Sequence, residues 1–161
     1  MKKTAGNDRA LRRQLAALLA WGDAHATFEA VVDDLPAPLR GTRPAGLPHS
    51  AWEVVEHMRI AQADILEFCV GAKYTAKKWP DDYWPPSPVP TAAEWRRSLA
   101  AFRRDRAALQ RLVANARLDL FGEIPHGSGQ TYLREVLLVA DHSAHHLGQL
   151  ITIRRLLGCW G

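Results

Sequence analysis

The sequence predicts an all-α protein, a four-helix bundle that forms a single domain over residues 1–161. Four long segments repeat apolar residues at helical spacing, and no segment alternates as a strand would. Two of these segments open with a capping box, a sequence pattern that marks helix starts. The length of 161 residues suits one domain, and the sequence shows no internal repeat or domain boundary.

The first two helices are predicted before residue 71. Helix one runs from about Asn7 to Leu35, where Pro36 ends it, and its apolar face holds Leu11, Leu15, Leu18, either Trp21 or Gly22, His25 and Phe28. Helix two opens with the capping box Ser50-Ala51-Trp52-Glu53, in which the first and last side chains satisfy free backbone donors. It continues to about Val70, and Gly71 is its stop signal.

A long connection separates helices two and three. Residues 72–90 end in WPDDYWPPSPVP, and the five prolines of this stretch cannot continue a helix. We expect the connection to wrap the bundle as a rigid strap with packed aromatic side chains. Because it is long enough to cross from one end of the bundle to the other, a simple up-down-up-down order does not follow.

Two further helices complete the predicted bundle. Helix three opens with the capping box Thr91-Ala92-Ala93-Glu94 and runs to about Ala116. After a loop over 121–130, helix four extends from about Thr131 to Leu157, with Gly158 as its end signal. Because helix four is apolar nearly all round, we expect it in the middle of the bundle.

Composition predicts a cytoplasmic protein with no membrane segment. The chain is 47% hydrophobic and 24% charged, which is ordinary for a globular protein. No stretch approaches the roughly 20 apolar residues of a membrane span. The only two cysteines, Cys69 and Cys159, are far apart in sequence and indicate small apolar fillers in a reducing compartment.

The positive charge is concentrated in helix three. Residues 91–117 contain seven arginines against Glu94 and Asp105, whereas the whole chain has a net charge of +4. We interpret this segment as a solvated helix face. An anionic ligand or partner, such as a low-molecular-weight thiol, is the second interpretation. Nucleic acid is third, because no docking motif accompanies the arginines.

The histidines indicate a metal site. Three of the seven lie in the motif DHSAHHLGQL on helix four, where burying several imidazoles is costly unless each finds a partner. His142 and His146 are four residues apart, so they share a helix face and can reach one ion. For His145 the predicted partner is Asp141, one turn earlier.

A third ligand has to come from another helix. His57 on helix two and His25 on helix one both fall on inward faces, and helical phase leaves both open. Neutral imidazoles favour Zn, Ni, Cu or Fe(II) over Mg or Ca. Three histidines with the remaining positions open is the pattern of a catalytic zinc site. Glu53, Asp64 and Glu135 are candidate carboxylates near the site, and each is expected in a surface ion pair or helix cap instead.

Two motifs resemble those of the DinB-like (DinB/YfiT-like) metalloenzyme family. These are Glu56-His57-Met58-Arg59-Ile60-Ala61-Gln62 in helix two and the segment from Asp141 to Gln149 in helix four. The resemblance implies a four-helix bundle in which His57, His142 and His146 bind a divalent metal, zinc or nickel. Some members of this family are thiol-dependent S-transferases or hydrolases of thiol adducts, while many have no assigned reaction.

The leading hypothesis is therefore a metal-dependent hydrolase or thiol S-transferase that acts on a small molecule. A non-catalytic bundle that binds metal for stability, sensing or storage is the alternative. A basic nucleic-acid-binding protein ranks third. An exposed apolar helix face would also allow a homodimer.

Overall fold

The computed structural model describes residues 2–20, 22–71 and 73–161, with side chains from residue 6 onward. Five α-helices form within these residues: α1 Lys2–Leu18, α2 Phe28–Val32, α3 Ala51–Val70, α4 Ala92–Ala114 and α5 Tyr132–Leu156. Two short 3-10 turns, Ala37–Leu39 and Asp81–Tyr83, lie in the connections. The four long helices confirm the all-α bundle that the sequence predicts. In the described ranges, no helix is long and apolar enough to cross a membrane.

The long helices pack in a ring in which α3 contacts α4 and α5, and α1 contacts the same two helices. The N-terminal halves of α3 and α4 share one core cluster, where the rings of Trp52 and Trp95 lie 6.4 Å apart. These two helices therefore run in the same direction. The C-terminal half of α5 enters that cluster through Leu150 and Ile153, so α5 runs antiparallel to both. Arg12 of α1 donates to the carbonyl of Val113, whereas Gln110 donates to the carbonyl of Ala16, so the later residue of α1 contacts the earlier residue of α4 and the two helices are antiparallel.

Two parallel neighbours require a connection that returns along the bundle, and residues 73–90 provide it. We call this segment the strap. Near its end, the strap reaches the start of α3, where the Trp52 Nε1 donates to the Ser87 carbonyl at 2.9 Å. Near its middle, the Tyr83 hydroxyl donates to Asp64 at 2.6 Å. The expected crossing from one end of the bundle to the other is present.

The predicted continuous helix from Asn7 to Leu35 is wrong. The chain forms α1, leaves the helical path after Leu18, and restarts at Phe28 as α2, with the Thr27 hydroxyl accepting from the Ala30 amide as an N-cap. The break contains Gly22, where an added Cβ would lie 2.5 Å from the Thr27 methyl, so the chain passes itself closely here. Apolar periodicity continues across the break because α1 and α2 cover different parts of the core. Trp21, predicted on this face, lies outside the described residues.

The helix ends follow the sequence signals closely. Both capping boxes form, with reciprocal bonds between Ser50 and Glu53 and between Thr91 and Glu94. Gly71 caps α3, and Gly158 follows α5 with φ of +69°, a left-handed conformation that favours glycine. The last helix, α5, contacts α1, α2 and α3, as its apolar sequence predicts, although Leu137 is 44% exposed and Leu138 37% exposed.

Candidate metal centre

Three imidazoles meet where α3 and α5 pack side by side. His57 comes from the middle of α3, and His142 and His146 project from successive turns of α5. The Nε2 of His142 lies 3.0 Å from the Nε2 of His57 and 3.1 Å from the Nε2 of His146. His57 and His146 are buried, and His142 is half-buried. The structure thus brings together the three residues predicted as ligands.

Hydrogen bonds on the far side of two rings set their tautomers. The Nδ1 of His57 lies 2.9 Å from the Tyr83 carbonyl, which can only accept, so this nitrogen carries the proton. The Nδ1 of His146 lies 2.7 Å from the Oε1 of Gln149 and donates to it in the same way. In a neutral imidazole the second nitrogen is then an acceptor. Both Nε2 lone pairs therefore point towards the third ring.

This arrangement fits a cation. Lone pairs that face one another at 3.0 and 3.1 Å repel, and one proton on the Nε2 of His142 would relieve a single contact. A tetrahedral ion with Zn–N bonds of about 2.0–2.1 Å places its nitrogens about 3.3 Å apart. The two distances from the Nε2 of His142 lie close to that spacing, and all three nitrogens lie within 4.8 Å of one another. The donor set therefore matches a divalent transition metal held by three neutral imidazoles.

The surroundings keep these imidazoles neutral. Burial, reinforced by the neighbouring imidazoles, lowers the pKa of His142 to about 3. Burial also lowers the pKa of His146 to about 4, although its bond to Gln149 acts in the opposite direction. The pKa of His57 is lowered by burial as well. At neutral pH all three rings are therefore in the form that donates a lone pair.

The strap contributes an aromatic support to His57. The ring of Trp84 stacks on His57 at a centroid distance of 4.3 Å with planes 10° apart. Trp84 also stacks on His49 at 3.9 Å. Trp84, expected only to pack against the bundle, thus joins His49 in a stack that holds the plane of a predicted ligand.

A cleft of about 440 Å³ opens beside two of the three histidines. His57 and His142 lie on its inner side, and the strap forms one wall through Tyr74, Trp79 and Tyr83. Trp79 is 68% exposed. The expectation that Trp79 and Tyr83 only pack against the bundle is therefore wrong. We call this space the strap cleft.

Two buried carboxylates line the strap cleft. Asp64 accepts from the hydroxyls of Tyr74 and Tyr83, and Glu135 is paired with Arg134. The expectation of surface roles for Asp64 and Glu135 is wrong, since their residues are 6% and 3% exposed. Glu53 instead has the predicted cap role and also pairs with Arg43.

The remaining predicted candidates lie away from the centre. His25 sits in the turn between α1 and α2 and lines a separate cavity against another face of α5. His145 is exposed, and its Nε2 accepts from the amide nitrogen of Gln149; the prediction that Asp141 is its partner is wrong. The arginines of α4 are absent from the strap cleft, where Arg134 of α5 is the lining arginine. These positions depend on the break in helix one and on helix packing, which periodicity alone does not give.

The fold and the site together define a helical-bundle protein with a three-imidazole centre. The profile of the DinB superfamily matches residues 20–150. The chain belongs to this superfamily. No curated protein and no solved structure gives a significant match to the chain.

Proposed function

We propose that this protein is a divalent-metal-dependent enzyme, either a hydrolase or a thiol S-transferase, that acts on a small molecule in the strap cleft. The observation that carries the proposal is the convergence of three Nε2 atoms, two of them with tautomers set by Tyr83 and Gln149. His57, His142 and His146 would hold the metal, with zinc or nickel as the expected ion. Neutral imidazoles suit both ions.

The bound metal would act as a Lewis acid that makes water or a thiol acidic at neutral pH. Three neutral ligands leave its positive charge undiminished, which favours this role. Three protein ligands also leave room for a substrate, as in catalytic rather than structural zinc sites. The strap cleft lies on this side, against His57 and His142.

The lining of the strap cleft supports a small-molecule substrate. Its volume of about 440 Å³ falls in the ordinary range of small-molecule sites. Phe68 and Trp79 offer apolar surface to the body of a ligand. Arg134, whose side chain is 58% exposed, can pair with an anionic group at the entrance.

A thiol transferred at this site would have to be a second substrate. Burial and the nearby Glu135 carboxylate raise the pKa of Cys69 to about 12, so this thiol stays protonated. Cys159 lies against Arg154 and Trp160 in a different pocket. Among the described lining residues of the strap cleft there is no cysteine. A free low-molecular-weight thiol supplies the missing nucleophile.

Elemental analysis of the purified protein tests the metal part of the proposal. We expect one equivalent of zinc or nickel in the wild type and loss of it in His57→Ala, His142→Ala and His146→Ala. His145→Ala is the matched control, because it removes an exposed imidazole from the same helix. Stoichiometric metal in a variant that combines all three substitutions would show that the ion binds elsewhere.

Activity assays test the catalytic part. Thiol-transfer and hydrolase substrate panels should give turnover that a chelator removes and added metal restores. The same chelation should lower the thermal midpoint if the metal also stabilises the fold. A protein that binds metal at the three histidines, melts later with it and turns over no member of either panel would favour the non-catalytic alternative.

A further inference from the structure

Tyr83 links the strap to α3 at two points. Its hydroxyl donates to Asp64 at 2.6 Å, and its backbone carbonyl accepts the Nδ1 proton of His57 at 2.9 Å. His57 and Asp64 are seven residues apart on α3, which is two turns or about 10 Å along the helix. One strap residue thus spans two turns of α3 and joins a buried carboxylate to a predicted metal ligand.

We propose that Asp64 and Tyr83 act as positioning residues for His57. Asp64 holds the Tyr83 side chain, and the anchored residue holds its own carbonyl where His57 donates to it. This inference rests on the proposed metal site, which gives the orientation of His57 its use. Asp64 and Tyr83 would then do more than line the strap cleft, because they would also set the orientation of a metal ligand.

The acceptor of His57 is a backbone carbonyl of the strap. The strap therefore needs an anchor, meaning a contact that holds it against α3. A side-chain acceptor is held by its own helix, as Gln149 is on α5 for His146. A strap carbonyl is only as fixed as the strap. The 3-10 turn Asp81–Tyr83 is short, so contacts with α3 must hold it in place.

The Asp64–Tyr83 bond is well suited to act as that anchor. Asp64 is 6% exposed, so water competes weakly for its oxygens. The Tyr83 hydroxyl donates and the Asp64 carboxylate accepts at 2.6 Å, a short distance typical of a hydroxyl–carboxylate bond. The Trp84 ring, next in sequence, stacks on His57 and so depends on the same anchor.

Tyr74 provides a matched control within the same network. Its hydroxyl also donates to Asp64, at 3.2 Å to Oδ1, but Tyr74 makes no hydrogen bond to His57. Tyr74→Phe and Tyr83→Phe each remove one hydroxyl donor from one carboxylate. A general loss of strap packing would affect both variants, whereas positioning of His57 depends on Tyr83.

The first measurement is zinc affinity by competition with a chromophoric chelator. Loss of an outer partner of a metal ligand costs 10–100-fold in affinity, and we expect about tenfold for Tyr83→Phe and for Asp64→Ala, which removes the acceptor altogether. The double variant should bind no more weakly than either single variant, since both act through one bond. Tyr74→Phe should stay within about twofold of the wild type. Equal losses in Tyr74→Phe and Tyr83→Phe would overturn the assignment.

The second measurement needs no metal. Long-range proton–nitrogen correlation spectra of the metal-free protein report which ring nitrogen of His57 carries the proton. We expect the Nδ1–H tautomer in the wild type and in Tyr74→Phe, and a mixture of tautomers in Tyr83→Phe. An unchanged tautomer in Tyr83→Phe would overturn the inference. If the wild type binds neither zinc nor nickel, the proposed function fails, and this spectrum still decides the role of Tyr83.

Discussion

Replacing Gln149 should weaken metal binding without touching a predicted ligand. Its Oε1 accepts the Nδ1 proton of His146 at 2.7 Å, and Gln149→Leu removes that acceptor. A neutral hydrogen bond is worth about 0.5–1.5 kcal/mol net. Because Gln149 is exposed, water can replace part of the bond. We therefore expect zinc affinity to fall by about three- to tenfold, at about 1.4 kcal/mol per factor of ten.

The variant Gln149→Glu tests whether the hydrogen-bond acceptor itself, and not another property of the Gln149 side chain, supports metal binding. A carboxylate at this position still accepts from His146 and makes the imidazole a stronger base, so zinc affinity should equal or exceed that of the wild type. His145→Ala is the control, since it removes the other partner of the Gln149 amide. The assay is chelator competition at neutral pH. Equal weakening by the Leu and Glu variants would refute the reasoning, as would wild-type affinity in the Leu variant.

Three predictions concern stability. Ser50→Ala should lower the free energy of unfolding in urea by about 1–2 kcal/mol, because its capping box is buried. Thr91→Ala, in the exposed capping box, should lower it by less. The reverse order would contradict the role of burial. Phe102→Ala, at a 2% exposed core position, should cost about 3–5 kcal/mol in the same assay, and a cost below about 1 kcal/mol would contradict its placement. In the folded, metal-free protein the pKa values of His142 and His146 are lowered to about 3 and about 4. Below pH 6.5 the unfolded state therefore binds more protons than the folded state, and acid favours unfolding. Urea unfolding across a pH series should show stability falling from pH 6.5 towards pH 4. Stability that rises on acidification would refute this sign.

Much of the fold follows from local signals in the sequence. The capping boxes at Ser50 and Thr91 and the glycines after α3 and α5 place three long helices within two residues of their predicted ends. The first helix fails because periodicity reports which side chains are buried, and α1 and α2 bury the same kind of face on either side of a break. Gly22, a poor helix former, and Thr27, a residue type that caps helices, are the local sequence signals of the break and of the restart at Phe28.

For the candidate site, too, the sequence predicts the local features and not the long-range contacts. The four-residue spacing of His142 and His146 is local, and the sequence predicts it from helix geometry. The choice of His57 as the third ligand depends on how α3 packs against α5, which helix geometry does not give. Only the family resemblance predicts it. The parts contributed by the strap, a carbonyl from Tyr83 and a stacked ring from Trp84, are long-range contacts of an irregular segment. No periodicity describes such a segment, although three aromatic residues among prolines mark it as unusual.

The length of the connection between α3 and α4 has a consequence for how this protein can diversify. A helix of 20 residues is about 30 Å long, and an extended chain covers that distance in about nine residues. Residues 71–91 exceed that need by about a factor of two. The excess forms the outer wall of the strap cleft, and the bundle holds it at Tyr83 and Ser87. Related chains can therefore alter what the cleft accepts by changing strap residues before the Tyr83 anchor, such as Tyr74 and Trp79, while the helices and the three imidazoles stay as they are.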